Sequence, residues 1–229
     1  MYTYFSGVII LSLVWVVLFI KCPLWRRRMT FSSFLCLAVL IPLFFITKAL
    51  SYVFLITWKY VPDYYNPDTL FDLSRITGGA ALEDVVFIFL MGGIAAVIYQ
   101  MMTKNKKIRA QPHIIAIFLF VISYIIIGLL YQFNPIYNLS LSSVIGFLVI
   151  SLQRHDLCKP AVYGGILFGI VWLMAAIVFA NVFLEGAGTF WALQNLTGVL
   201  ILGAPLEEFI WGFTFGLMWV PIYAYIKGV

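Results

Sequence analysis

The chain has 229 residues, 64% of them hydrophobic and only 10% charged, with a mean hydropathy of +1.05. A soluble core cannot hide that much apolar surface, so a water-soluble globular protein is excluded and the bilayer must act as solvent. The net charge of +5 is segregated among loops, which marks it as a membrane-topology signal and excludes a nucleic-acid footprint.

Apolar runs able to cross ~30 Å of hydrocarbon at ~1.5 Å per residue fall at roughly 4–20, 30–58, 76–101, 112–131, 137–152, 160–183 and 196–226. The expected fold is an all-α membrane protein of about seven transmembrane helices, with the run at 137–152 the short one. The first run is not a cleavable signal peptide, because Lys21 and Arg26 to Arg28 follow it, whereas a signal peptide carries its positive charge ahead. Eleven of the 14 basic residues (Lys21, Arg26, Arg27, Arg28, Lys104, Lys106, Lys107, Arg109, Arg154, Lys159, Lys227) fall on one side of that arrangement. The positive-inside rule makes that side cytoplasmic and puts the N-terminus outside. Lys59, Arg75, Asp63, Asp68, Asp72 and Glu185 occupy the other side. Cys22, Cys36 and Cys158 lack the spacing of a zinc site or disulfide framework and read as structural. Asn138 and Asn195 each begin a glycosylation triplet on the outer side, a pattern that also arises by chance.

An internal repeat is visible. Gly79 to Phe89 (GAALEDVVFIF) aligns with Gly203 to Phe213 (GAPLEEFIWGF) at an offset of 124 residues, with five of eleven positions identical. The runs then divide in parallel as a first three-helix repeat (1–103), a linking helix (104–136) and a second three-helix repeat (137–229). An odd linking helix keeps both halves in one orientation.

The repeat carries two acidic pairs, Glu83 with Asp84 and Glu207 with Glu208, within the first two to three turns of their expected helices. Intramembrane carboxyls are costly, so they either lock helices together or mark a pathway or reaction centre. Adjacent helical residues diverge by ~100°, so each pair can offer one carboxyl to a central cavity. Two carboxyls facing each other in a low-dielectric pocket do not both ionise easily, which leaves one as a local acid. Aromatic residues follow the acids, and Phe87, Phe89, Trp211, Phe213 and Phe215 are the candidate substrate-binding rings, able to stabilise a developing cation. Gly92, Gly93, Gly212 and Gly216 suit close helix approach. Lys48 either pairs with an acid or reaches the headgroups. His113 and His155 lie at the opposite ends of spans, and no metal site is expected.

Pro205-Leu206-Glu207-Glu208 with its aromatic tail, Ala81-Leu82-Glu83-Asp84, Trp25-Arg26-Arg27-Arg28 and Tyr65-Asn66-Pro67-Asp68 resemble the lycopene cyclase domain family, the membrane-embedded heterodimer-type carotenoid cyclases, in the fused two-repeat form. The resemblance covers nearly the whole chain. It implies an enzyme of carotenoid biosynthesis, a lycopene cyclase-like intramolecular lyase or isomerase, in a prokaryotic plasma membrane. The end of a lipophilic polyene or terpenoid from the bilayer would be protonated, closed into an ionone-type ring and deprotonated, with no net redox change and no cofactor. It carries the acid and base roles to Glu83, Asp84, Glu207 and Glu208, with Glu83 and Glu207 as the essential pair. The chain departs from the family in having Ala81 for the first motif's proline and Asp84 for its second glutamate.

The other class to weigh is a small transporter or proton-coupled carrier with a three-one-three bundle, although the Pro-Gln dipeptide of the PQ-loop carriers is missing. A retinal photoreceptor needs a lysine in the last helix, and none lies between Leu196 and Ile226. A CAAX-processing protease expects an arginine after the paired acids and later histidines, and this chain has neither. A scaffold with vestigial acids is the remaining reading.

Overall fold

The computed structural model describes residues 3–54, 61–77, 79–103, 110–131 and 134–229. Lys59, Lys104, Lys106, Lys107 and Arg109 lie outside the described residues. The chain forms α1 (Thr3–Lys21), α2 (Arg26–Phe54), a short α3 (Leu73–Thr77), α4 (Leu82–Thr103) and α5 (Ile115–Tyr131). These are followed by α6 (Pro135–Gln153), α7 (His155–Phe183), α8 (Leu206–Trp219) and α9 (Ile222–Lys227). Among the described residues six segments are long and apolar enough to cross a membrane, with α8 and α9 acting together as Leu206–Lys227. The short apolar helix is α5, at 17 residues, whereas the expected short member, now α6, has 19. Asn134 and Pro135 explain the added length. The asparagine caps Ile136 N–H at 3.2 Å, and the proline occupies the first turn, where its missing N–H costs nothing.

Two expected spans start later than hydropathy placed them. The third begins at Leu82, because the chain breaks after α3 at Gly79, whose φ of 125° favours glycine. The seventh begins at Leu206. Residues Leu200–Ile201 (β1) and Ala204–Pro205 (β2) pair antiparallel as a small hairpin, turned by Leu202 and Gly203 at positive φ. Apolar composition cannot distinguish such a hairpin from a helix.

The long helices alternate in direction. Tyr4 at the start of α1 reaches Asp84 at the start of α4, and Asn134, which caps α6, reaches Asp63 and Asn195. Asn181 near the end of α7 holds the hairpin through Leu202 O at 2.8 Å. At the opposite end Arg26 caps the α1 carbonyls of Phe19 and Ile20, and buried Arg154 bonds Ala224 O and Asp156. The starts of α1, α4, α6 and α8 therefore share one end. The described basic residues Lys21, Arg26 to Arg28, Arg154, Lys159 and Lys227 gather at the other.

Glycines sit at close helix contacts, as expected. A Cβ on Gly216 of α8 would lie 2.8 Å from Gly165 Cα of α7, and one on Gly212 would lie 3.2 Å from Gly169 Cα. On α4, a Cβ at Gly92 would meet Ser32 O of α2 at 2.5 Å. Such approach gives extensive backbone packing in a solvent where lipid tails compete for every apolar contact.

Candidate active site

Both acidic pairs occupy the second and third positions of their helices, α4 and α8. They sit in the first turn, because both helices start later than hydropathy placed them. Unsatisfied backbone N–H groups and the helix dipole favour negative charge there.

The pairs split in the same way. The first acid of each pins the chain segment that leads into its helix. Glu83 Oε1 accepts from Leu70 N–H at 2.7 Å, and Glu207 Oε1 accepts from Thr197 N–H at 2.8 Å and from Tyr137 O–H at 2.5 Å. The second acid of each lines a cavity of about 500 Å3. Asp84 Oδ1 accepts from Tyr4 O–H at 2.6 Å and Tyr65 O–H at 2.8 Å, while Oδ2 accepts from Ala81 N–H at 2.8 Å. Glu208 Oε1 accepts from Trp191 Nε1–H at 2.7 Å and from Tyr64 O–H, and Oε2 accepts from Trp172 Nε1–H at 2.6 Å. The resemblance set Glu83 and Glu207 as the essential pair, but the carboxyls brought to the cavity are those of Asp84 and Glu208.

A cover of two loops holds Tyr64, Tyr65 and Trp191, while Tyr4 stands on α1 and Trp172 on α7. Tyr65 bridges Trp191 antiparallel, with Asn66 N–H to Phe190 O at 2.7 Å and Ala192 N–H to Tyr64 O at 2.9 Å. Consecutive tyrosines point to different acids, one to each motif. Burial, and next the Glu208 charge, push the Tyr64 phenol well above the ordinary tyrosine range.

Of the candidate rings, Phe87 and Trp211 line the cavity, with centroids 6.0 Å apart, and Trp172 lies 5.3 Å and 5.1 Å from them. Each stands three residues after its cavity acid, nearly the same helix face. Phe89 and Phe213 stand five residues after and are turned away. Phe89 packs on Trp15 and Phe34, and Phe213 stacks on Phe209. Phe215, seven residues on, returns to the face two turns deeper, buried beneath Trp211 at 5.3 Å. Lys48 donates to Thr77 O and to neither acid pair. Among the described residues no group of three His, Cys, Asp or Glu is placed to hold a metal ion. Asn138 is buried in α6 and donates to Tyr124 O, which removes it as a glycosylation site.

Tyr4, Tyr64, Trp172 and Trp191 carried no sequence signal of their own. Tyr65 stood within the quoted Tyr65-Asn66-Pro67-Asp68 segment without a role.

The cavity wall continues along α1 and α7 through Ile10, Val14, Met174 and Val178, all exposed on the outer surface of the bundle. The site is thus a greasy chamber with two carboxyls at one end and an apolar side wall.

A family model described as Lycopene cyclase matches residues 1–102 and 134–226, leaving unmatched the stretch that holds α5. No curated protein and no solved structure matches the chain. The chain belongs to the lycopene cyclase family: it is an integral membrane protein of carotenoid cyclisation, suited to a lipophilic polyene.

Proposed function

We propose that the protein closes ionone-type rings on the end of a linear carotenoid or related terpenoid, by protonation and deprotonation without net redox change, as an isomerase or intramolecular lyase. The observation that carries this reading is the convergence of Asp84 and Glu208, the second acids of the two motifs, on one apolar chamber. An alkene is a very weak base, so its protonation needs a neutral carboxyl in a dry site, and the resulting cation needs aromatic faces until a base removes a proton. Phe87, Trp172 and Trp211 supply those faces, while the polyene tail leaves along the α1 and α7 wall toward the lipid. Each half of the duplicated chain, 1–103 and 137–229 about the link 104–136, contributes one cavity acid. The end bearing the acids faces outward and the basic end faces the cytoplasm of a prokaryotic plasma membrane.

The test is mass spectrometry of the product formed from lycopene by membranes holding the chain, with no added cofactor. The expected product is cyclic and isomeric with lycopene. A product differing by two hydrogens, or uptake of lycopene into vesicles without conversion, contradicts the reading, the latter in favour of a carrier.

A further inference from the structure

The two cavity acids are held by chemically different donors. Both oxygens of Glu208 receive an indole N–H, from Trp191 at 2.7 Å and Trp172 at 2.6 Å. An indole can only donate, so every oxygen of Glu208 faces a hydrogen that cannot turn away. Asp84 also has three donors, but among the described residues a proton on Glu208 Oε2 would face the Trp172 N–H, which cannot accept it, so the indoles suit the charged form. At Asp84 the fixed donor is Ala81 N–H, confined to Oδ2. Among the described residues Oδ1 meets only the phenols of Tyr4 and Tyr65. A phenol donates or accepts according to its rotation, so Oδ1 can carry a proton and donate it with either hydroxyl turned to accept.

The origin of the difference lies in the repeat. Asp84 folds back on the N–H three residues before it, as in a capping box. Pro205 at the matching place has no N–H to offer, which leaves both oxygens of Glu208 to the tryptophans and Tyr64.

Resting on the cyclase reading, we infer that Asp84 is the acid and Glu208 the base, with Tyr4 and Tyr65 as positioning residues for the acid and Trp172 and Trp191 for the base. Asp84 gives its Oδ1 proton to the terminal double bond. The cation closes the ring by forming one C–C bond at the expense of a second double bond. Glu208 removes a proton from a carbon beside the new cation, and those C–H electrons become the ring double bond. One proton has left Asp84 and one has reached Glu208, so its return to Asp84 resets the site with no net uptake.

The division of roles gives the two sets of variants different signatures. The position of the base decides which neighbouring carbon loses its proton and so where the ring double bond falls. The acid sets only how fast the cation forms. In a lycopene-accumulating bacterium, Trp172→Phe and Trp191→Phe are expected to raise the share of alternative double-bond isomers about tenfold. Tyr4→Phe and Tyr65→Phe are expected to slow conversion about tenfold at an unchanged isomer ratio. Each variant is quantified in the membrane, and Glu208→Asp, which keeps a carboxylate but withdraws it, should also shift the ratio. A shifted ratio in the tyrosine variants, or an unchanged ratio in all the tryptophan and Glu208 variants, overturns the assignment while leaving the cyclase reading standing. A membrane-inserted wild type that makes no ring overturns the cyclase reading itself.

Discussion

At the scale of single residues, one backbone N–H separates the surroundings of the two cavity acids. Ala81 offers it to Asp84, and Pro205 does not offer it to Glu208. Ala81→Pro should therefore remove a buried hydrogen bond and lower stability by about 1 kcal/mol, read as a lower unfolding temperature of the detergent-solubilised protein. An unchanged temperature would mean that the Asp84 contact contributes nothing. The acidic pairs stood out in the sequence because ionisable groups repeated within apolar helices are costly and need a reason to be there. Their partners did not. Tyr64 and Trp172 stand 144 and 36 residues from Glu208, and nothing in a local pattern brings them to it. The 100° step between neighbours did foretell that one acid of each pair would reach a cavity. Which one depended on helix starts and loop paths that hydropathy does not record.

At the scale of elements, the α7–α8 seam depends on facing glycines. Gly216→Val should strain the seam by about 3 kcal/mol or more, because its Cβ would press on Gly165 Cα at 2.8 Å and Phe168 Cβ at 2.9 Å. Gly186→Ala, with nothing within 4 Å, should be neutral. Membrane yield and unfolding temperature of the two variants check the pair, and equal behaviour would contradict close packing as the role of these glycines. The glycine spacing disclosed this seam because small residues four apart on one face have a mechanical meaning. The same composition gave no warning of the hairpin before α8. Leu200 to Pro205 is apolar throughout, and only the left-handed turn at Leu202 and Gly203 separates it from a helical span. The aromatic rings show the same limit. Counting residues from the acids separates Phe87 from Phe89 and Trp211 from Phe213, but only once the cavity face of each helix is fixed.

At the scale of the whole molecule, the acid-lined cavity and the described basic cluster of Lys21, Arg26 to Arg28, Arg154, Lys159 and Lys227 lie at opposite ends of the bundle. If the basic end faces the cytoplasm, Gly186→Cys, on the acid end after α7, should react with a membrane-impermeant thiol reagent in intact cells. The native Cys22 and Cys158 at the basic end should react only after permeabilisation. The reverse pattern would invert the assigned sidedness.

On the cyclase reading the cavity acids Asp84 and Glu208 perform the reaction while Glu83 and Glu207 secure the loops above it. The most direct measurement is chromatography of pigments from a lycopene-accumulating bacterium expressing the wild type and, separately, Asp84→Asn, Glu208→Gln, Glu83→Gln and Glu207→Gln at matched membrane levels. Cyclic carotenoid is expected from the wild type, to fall about 10²-fold or more in Asp84→Asn and Glu208→Gln, and to persist within about tenfold in Glu83→Gln and Glu207→Gln, whose remaining carbonyls still accept the Leu70 and Thr197 N–H groups. Full activity in Asp84→Asn and Glu208→Gln, with loss confined to Glu83→Gln and Glu207→Gln, would contradict the account.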